Sequence, residues 1–219
     1  MSQPPLSGSH ADGVRLIGPN ALIQTAAALY ALEGASAVAV LAAAGEQTLS
    51  EQPPDDRVDE RRFSRLVAAL VAQLGEARAE LVLAQGGALT ADHLLTHQLP
   101  APFQSLLRRL PRDQALRLLL GAVASHARAF VGSGRLRYEL PQLGRVELTI
   151  DGCPACRGLT AARPMCGFYA GIFERLFRTL VDDGMRVTET GCQACGGASC
   201  TLLAVRTDDG DDTRRVTGP

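Results

Sequence analysis

Apolar residues follow a helical period up to Val131 and an alternating one beyond Gly134. Asn20 to Leu32 reads as a helix with Asn20 as its N-cap. Val58 to Leu74 reads as a second, with Phe63, Leu66, Leu70 and Leu74 on one face. Shorter helices are expected near Ala77–Gln85, Ala91–Gln98 and Phe103–Leu110, with Pro100, Pro102 and Pro111 as breakers. The strongest helical pattern spans Asp113 to Val131, where Leu119, Val123, His126 and Phe130 share an apolar face and Gly132-Ser133-Gly134 ends the run.

Beyond that point Leu136, Tyr138 and Leu140 alternate with Arg135, Arg137 and Glu139, and Val146, Leu148 and Ile150 alternate with Arg145, Glu147 and Thr149. With Pro141-Gln142-Leu143-Gly144 between them, the two runs form a hairpin. A helix over Met165–Val181, apolar at Phe168, Tyr169, Ile172, Phe173, Leu176, Phe177 and Leu180, precedes two further strands, Met185–Thr190 and Cys200–Val205. The expectation is an α+β fold in which an N-terminal helical layer (residues 19–132) packs on a C-terminal antiparallel sheet (residues 133–206). Residues 1–18 read as a flexible leader and 207–219 as a charged, disordered tail.

Composition narrows the class without deciding it. Hydrophobic residues make up 46% and charged residues 21% of 219, tryptophan is absent, and the formal net charge is −1. Such a balance gives no electrostatic reason to expect nucleic acid as a partner. The most apolar run, Ala35 to Ala44, is about half of what a bilayer requires and is expected as a buried core element. Met1 to Asp12 lacks the apolar run of a signal peptide, so no transmembrane segment and a cytoplasmic location are expected.

All six cysteines fall between Cys153 and Cys200. Without an export signal, thiols so clustered point to metal or redox chemistry, with buried structural thiols as the simpler alternative. Two Cys-x-x-Cys turns, Cys153/Cys156 and Cys192/Cys195, stand 36 residues apart (Cys156 to Cys192) and are spaced for a four-thiolate tetrahedral site. A second set competes. Cys166 falls at the start of the aromatic helix, where the helix dipole favours a thiolate. Glu189 continues the Met185–Val187 alternation, so its carboxylate faces inward and needs a cation or strong donors.

The run MCGFYAGIFERLF, followed by VTETGC and GGASC, resembles the 4-vinyl reductase domain, also found in phenol-sensing transcription activators. The resemblance covers about residues 130 to 206 and implies a structural zinc held by Cys166, Glu189, Cys192 and Cys200, at intervals of 23, 3 and 8 residues. Cys153, Cys156 and Cys195 exceed that pattern; they either stand behind the ligands, replace Glu189, or hold a second ion or an iron–sulfur cluster. More widely, GPNAL near the start, TADHLL and the SHARAF–GSG stretch resemble the BchJ-type family of bacteriochlorophyll biosynthesis proteins. That likeness implies a magnesium porphyrin or divinyl chlorophyllide as ligand, other enzymes of the pathway as partners, and, by analogy with related domains, a homodimer.

Three functions follow from it: a tetrapyrrole carrier or assembly factor, a true 8-vinyl (4-vinyl) reductase of divinyl chlorophyllide, or a small-molecule sensing module. No G-x-G-x-x-G follows a strand and no Walker sequence occurs, so no nicotinamide or phosphate loop is legible for a self-sufficient reductase. A sensor would normally carry an output domain, for which the chain has no room. For a tetrapyrrole, His126 is the first candidate axial ligand. His97, four residues from His93 on one helix face, is the second, although core and surface histidines are the plainer readings. Arg108, Arg109, Arg112 and Arg117 form a basic group that would meet tetrapyrrole carboxylates or simply water.

Overall fold

The computed structural model describes residues 15–207. Most of the expected leader and nearly all of the expected tail lie outside the described residues. The end of the leader is ordered: β1 (Leu16–Ile17) pairs antiparallel with β2 (Val58–Asp59), and Ile17 is fully buried.

Helix α1 (Asn20–Glu33) starts after Pro19, which takes the N-cap position expected of Asn20. Gly34, at φ 56°, and a single 3-10 turn break the chain before α2 (Ala37–Ala44). Together Asn20–Ala44 make 25 residues of mean hydropathy 1.7, long and apolar enough by length and composition to cross a membrane. The break explains why the ten-residue run looked too short alone. Ala37, Val40, Leu41 and Ala44 are buried as expected of a core element, whereas Val38 is 60% exposed.

Helix α3 (Glu60–Leu74) begins two residues later than its periodicity suggests, because Val58 and Asp59 are taken by β2. Asp59 caps it, its carboxylate accepting from the Arg61 N–H at 2.9 Å. The two weak helices expected on either side of Gly86-Gly87 are one continuous helix, α4 (Glu76–His97). After it come α5 (Ala101–Leu107), α6 (Arg112–Ser125) and the short α7 (Arg128–Val131), so the expected helix to Val131 ends early, with His126 as its C-cap.

The hairpin is present as β3 (Arg135–Gln142) and β4 (Arg145–Asp151). Helix α8 (Gly167–Leu180) and strands β5 (Met185–Gly191) and β6 (Cys200–Arg206) complete an antiparallel sheet of order β3-β4-β6-β5. Val146, Leu148 and Ile150 of β4 and Leu202 and Ala204 of β6 turn to the core, as alternation requires.

Mixed helix and antiparallel sheet is therefore right, but the layering differs from expectation. The N-terminal helices meet the sheet mainly through α8: α4 packs along α8, α8 packs on β5, and α1 and α3 lie behind α4, while α6 and α7 touch only the edge strand β3. Glycine sets the spacing. A Cβ on Gly87 would stand 2.0 Å from the Phe168 carbonyl oxygen, and one on Gly171 would stand 2.1 Å from that of Ala84. Larger residues would push the helices apart and open the aromatic core, where the Phe63 and Phe168 ring centroids are 5.0 Å apart.

Candidate metal centre

Four chain segments converge at the N-terminal end of α8. After β4, Gly152 at φ 67° leads into a 3-10 turn (Pro154–Cys156) that aims Cys153 and Cys156 inward. Cys166 is the N-cap residue of α8. A register shift between Glu189 and Gly191 at the end of β5 delivers Cys192, and Cys200 opens β6 opposite Ile150.

The sulfurs come within van der Waals reach of one another. Cys166 Sγ lies 3.4 Å from both Cys153 Sγ and Cys156 Sγ, and Cys156 Sγ lies 3.5 Å from both Cys192 Sγ and Cys200 Sγ. Two overlapping groups have all their ligand atoms within 4.8 Å of one another: Cys153, Cys156, Cys166 and Cys200, and Cys166, Glu189, Cys192 and Cys200. Tetrahedral zinc–thiolate bonds of about 2.3 Å place sulfurs about 3.8 Å apart, so the cage has the size of one such ion.

Cys195 is the exception. Its Cys-x-x-Cys turn buries Ala194 and leaves Cys195 exposed, so the paired-turn set Cys153–Cys156–Cys192–Cys195 is not assembled. The two turns share a sequence pattern but not a setting. The first is covered by α3, whose Ser64 hydroxyl donates to the Pro154 carbonyl at 2.8 Å, whereas the second runs out through Gly196 at φ 89°.

Hydrogen bonds sort the sulfurs by charge. Cys192 Sγ accepts from the Met165 N–H at 3.4 Å and Cys200 Sγ from the Gln193 N–H at 3.3 Å. Hydrogen bonds from the neighbouring thiols, chiefly Cys156, lower Cys192 to about 5, and those from Cys153, Cys156 and the others lower Cys200 well below the usual thiol range. Cys156 and Cys166 move the other way, the first-ranked cause being their hydrogen bonds with Cys153. Two thiolates beside three protonated thiols is an arrangement that a divalent cation completes.

Glu189 carries the same signature. One carboxylate oxygen accepts from the Cys166 N–H at 2.7 Å. The other is buried with no hydrogen-bond partner among the described residues, and burial pushes the carboxyl up to about 9. An orphaned carboxylate oxygen within 4.8 Å of three sulfurs fits a metal ligand.

Around this centre the chain is braced. Gln193 accepts from the Cys153 N–H at 2.7 Å and so ties the two turns together. Glu60 at the start of α3 is fully buried. It accepts from the Ser133 N–H and hydroxyl, each at 2.8 Å, and from Arg157 just past the first turn. Nothing in the periodicity of α3 marks Glu60 as a buried anchor, since it sits at the first helical position, where acids are ordinary.

The histidines lie elsewhere. His126 is exposed rather than on an apolar face, because α6 stops at Ser125, and its Nδ1 is held by the Ala122 carbonyl at 3.0 Å and the Ser125 hydroxyl at 2.9 Å. His97 is exposed, stacked on His93 with ring centroids 4.4 Å apart. Of the basic group, Arg108, Arg109 and Arg117 are exposed, Arg108 bonding the Thr179 carbonyl, and Arg112 stands 3.8 Å from Asp182.

With this geometry in hand, known proteins supply the context. The family model of the 4-vinyl reductase domain matches residues 146–206. Over 189 residues the chain is 37% identical to the bacteriochlorophyll synthase 23 kDa chain of Rhodobacter capsulatus, covering 85% of each. The protein of the same name from Cereibacter sphaeroides is 34% identical over 185 residues, covering 84% of this chain and 87% of that one. Among solved structures, a variant H-NOX of T. tengcongensis superposes with a TM-score of 0.53 at 14% identity, covering 86% of this chain and 97% of the other. That likeness is one of fold alone.

Proposed function

The chain belongs to the BchJ-type family of bacteriochlorophyll synthase 23 kDa chains and acts in bacteriochlorophyll biosynthesis, and from that premise we propose that it is a tetrapyrrole carrier or assembly factor of that pathway. It binds a divinyl chlorophyllide or magnesium porphyrin and passes it between pathway enzymes. A structural zinc, in this reading, is held by Cys166, Glu189, Cys192 and Cys200. Cys153 and Cys156 donate S–H bonds to the ligating sulfurs.

The observation that carries this reading is the closed character of the thiol centre. Ligands come from the start of α8, from β5 and the turn after it, and from β6, and the cage is buried. A zinc with four protein ligands keeps no open position for substrate, so it shapes the fold rather than activating a vinyl group. Family membership supplies the pathway, and the closed centre favours binding over turnover.

The test is a titration of the purified chain with divinyl chlorophyllide, followed by absorbance with and without NADPH. A saturable shift of the bound pigment with the 8-vinyl group intact is expected. An unshifted spectrum contradicts the carrier, and reduction of the vinyl group replaces it with the enzyme.

A further inference from the structure

A groove of about 890 Å³ runs along the outer side of the α4–α8 crossing and ends against β5 beside Glu189. Its size lies within the range of about 300–1,000 Å³ usual for small-molecule sites. Ala84 and Ala88 of α4 and Ala170 and Gly171 of α8 form its wall. Side chains there end at a methyl group or less, because the helices cross too closely for anything larger at Gly171. The result is an apolar face without projecting side chains, suited to a flat ring system.

Two polar groups in this groove have no structural task. Glu80 on α4 has one oxygen engaged by the Gly167 N–H, and its other oxygen, Oε2, is buried with no hydrogen-bond partner among the described residues. Burial is the main reason its carboxyl is pushed up to about 7. Arg163, exposed on the segment before α8, makes no hydrogen bond or ion pair with any described residue, and its charge acts on Glu80. The neighbouring arginines differ: Arg175 is paired with Asp92 at 2.7 Å, and Arg178 bonds the Asp183 carbonyl.

We propose that this groove is the tetrapyrrole seat, with the macrocycle flat against the Ala84–Ala88–Ala170–Gly171 wall, its peripheral carboxylate on Arg163, and Glu80 Oε2 turned to the central magnesium. The proposal rests on the carrier reading above. Magnesium is a hard cation that takes oxygen ligands, and a guanidinium matches a carboxylate in two parallel hydrogen bonds. Neither His126 nor His97 lines the groove, so oxygen replaces nitrogen as the axial donor.

Fluorescence titration of the zinc-loaded full chain tests the seat with three probes: magnesium chlorophyllide, its carboxyl methyl ester and the magnesium-free pheophorbide. Ala170→Phe, which projects a ring into the groove from a half-buried position, is expected to weaken all three by about tenfold or more. Arg163→Glu is expected to weaken the free acids by about tenfold and leave the ester unchanged. Glu80→Gln is expected to weaken the two magnesium probes and leave pheophorbide unchanged.

If the wild type binds and Ala170→Phe and Arg163→Glu bind equally well, the seat lies elsewhere and the carrier reading stands. If the wild type binds none of the probes, both fall. Should Ala170→Phe fail to fold, the exposed Arg163→Glu still decides the matter by its free-acid-to-ester ratio.

Discussion

The thiol centre and the α4–α8 crossing hold the same helix by unlike means. At the N-terminal end of α8, particular atoms matter: five sulfurs and a carboxylate from four segments, several of them unsatisfied as neutral groups. Along the body of α8 only shape matters, two glycines letting the backbones touch over a core of phenylalanines. Chemistry concentrated in a few side chains fails all at once when one is lost. A packed surface fails by degrees.

The largest effect expected from this contrast is at the centre. Cys200→Ser, or stripping with a strong chelator, removes the stabilisation that zinc lends small thiolate folds, on the order of 10 kcal/mol in isolated zinc fingers. Thermal melts by circular dichroism will show β5 and β6 lost from the cooperative transition while the helical signal of α1–α4 persists. Next comes Arg157→Met, which leaves Glu60 charged and buried beside the first cysteine turn. A loss of about 3–5 kcal/mol in urea unfolding is expected.

At the crossing, Gly171→Val forces the helices apart and costs about 3 kcal/mol by the same measurement. It will leave the zinc content unchanged, which separates the two modes of support. Between the two regions sits Glu80. Its folded value of about 7 lies above the ordinary carboxyl value of 4.5, so the folded state binds the extra proton in that window. Stability therefore falls as pH rises from 4.5 to about 7, and Glu80→Gln flattens that slope in pH-dependent urea melts. The smallest change is Asp59→Ala, which removes the cap of α3 at a cost of about 1 kcal/mol and lowers the melting temperature by a few degrees.

The same contrast explains what could be read beforehand. The hairpin of β3 and β4 was legible because alternation is a local property, and Val146, Leu148 and Ile150 do face the core. The aromatic helix was legible for the equivalent reason at a helical period. Gly86-Gly87 looked like a loop because a glycine pair weakens a helix on its own; only the approach of α8 makes it an asset. His126 was placed on a core face by counting along a helix that stops at Ser125.

At the centre, residue type pointed to metal chemistry, but spacing favoured two equivalent Cys-x-x-Cys turns. The cover that α3 lays over the first turn alone is a contact across about 90 residues, invisible to any local pattern. Glu80 and Arg163 escaped notice for a similar reason. Each is an unremarkable charge in sequence, and only the groove between distant helices leaves them without other work.

Metal content is the most direct measurement. Elemental analysis of the purified chain is predicted to find one zinc per chain, and none in Cys166→Ser. A wild type that is folded yet metal-free, with its thiols open to alkylation, would contradict the account. So would full retention of zinc in Cys166→Ser.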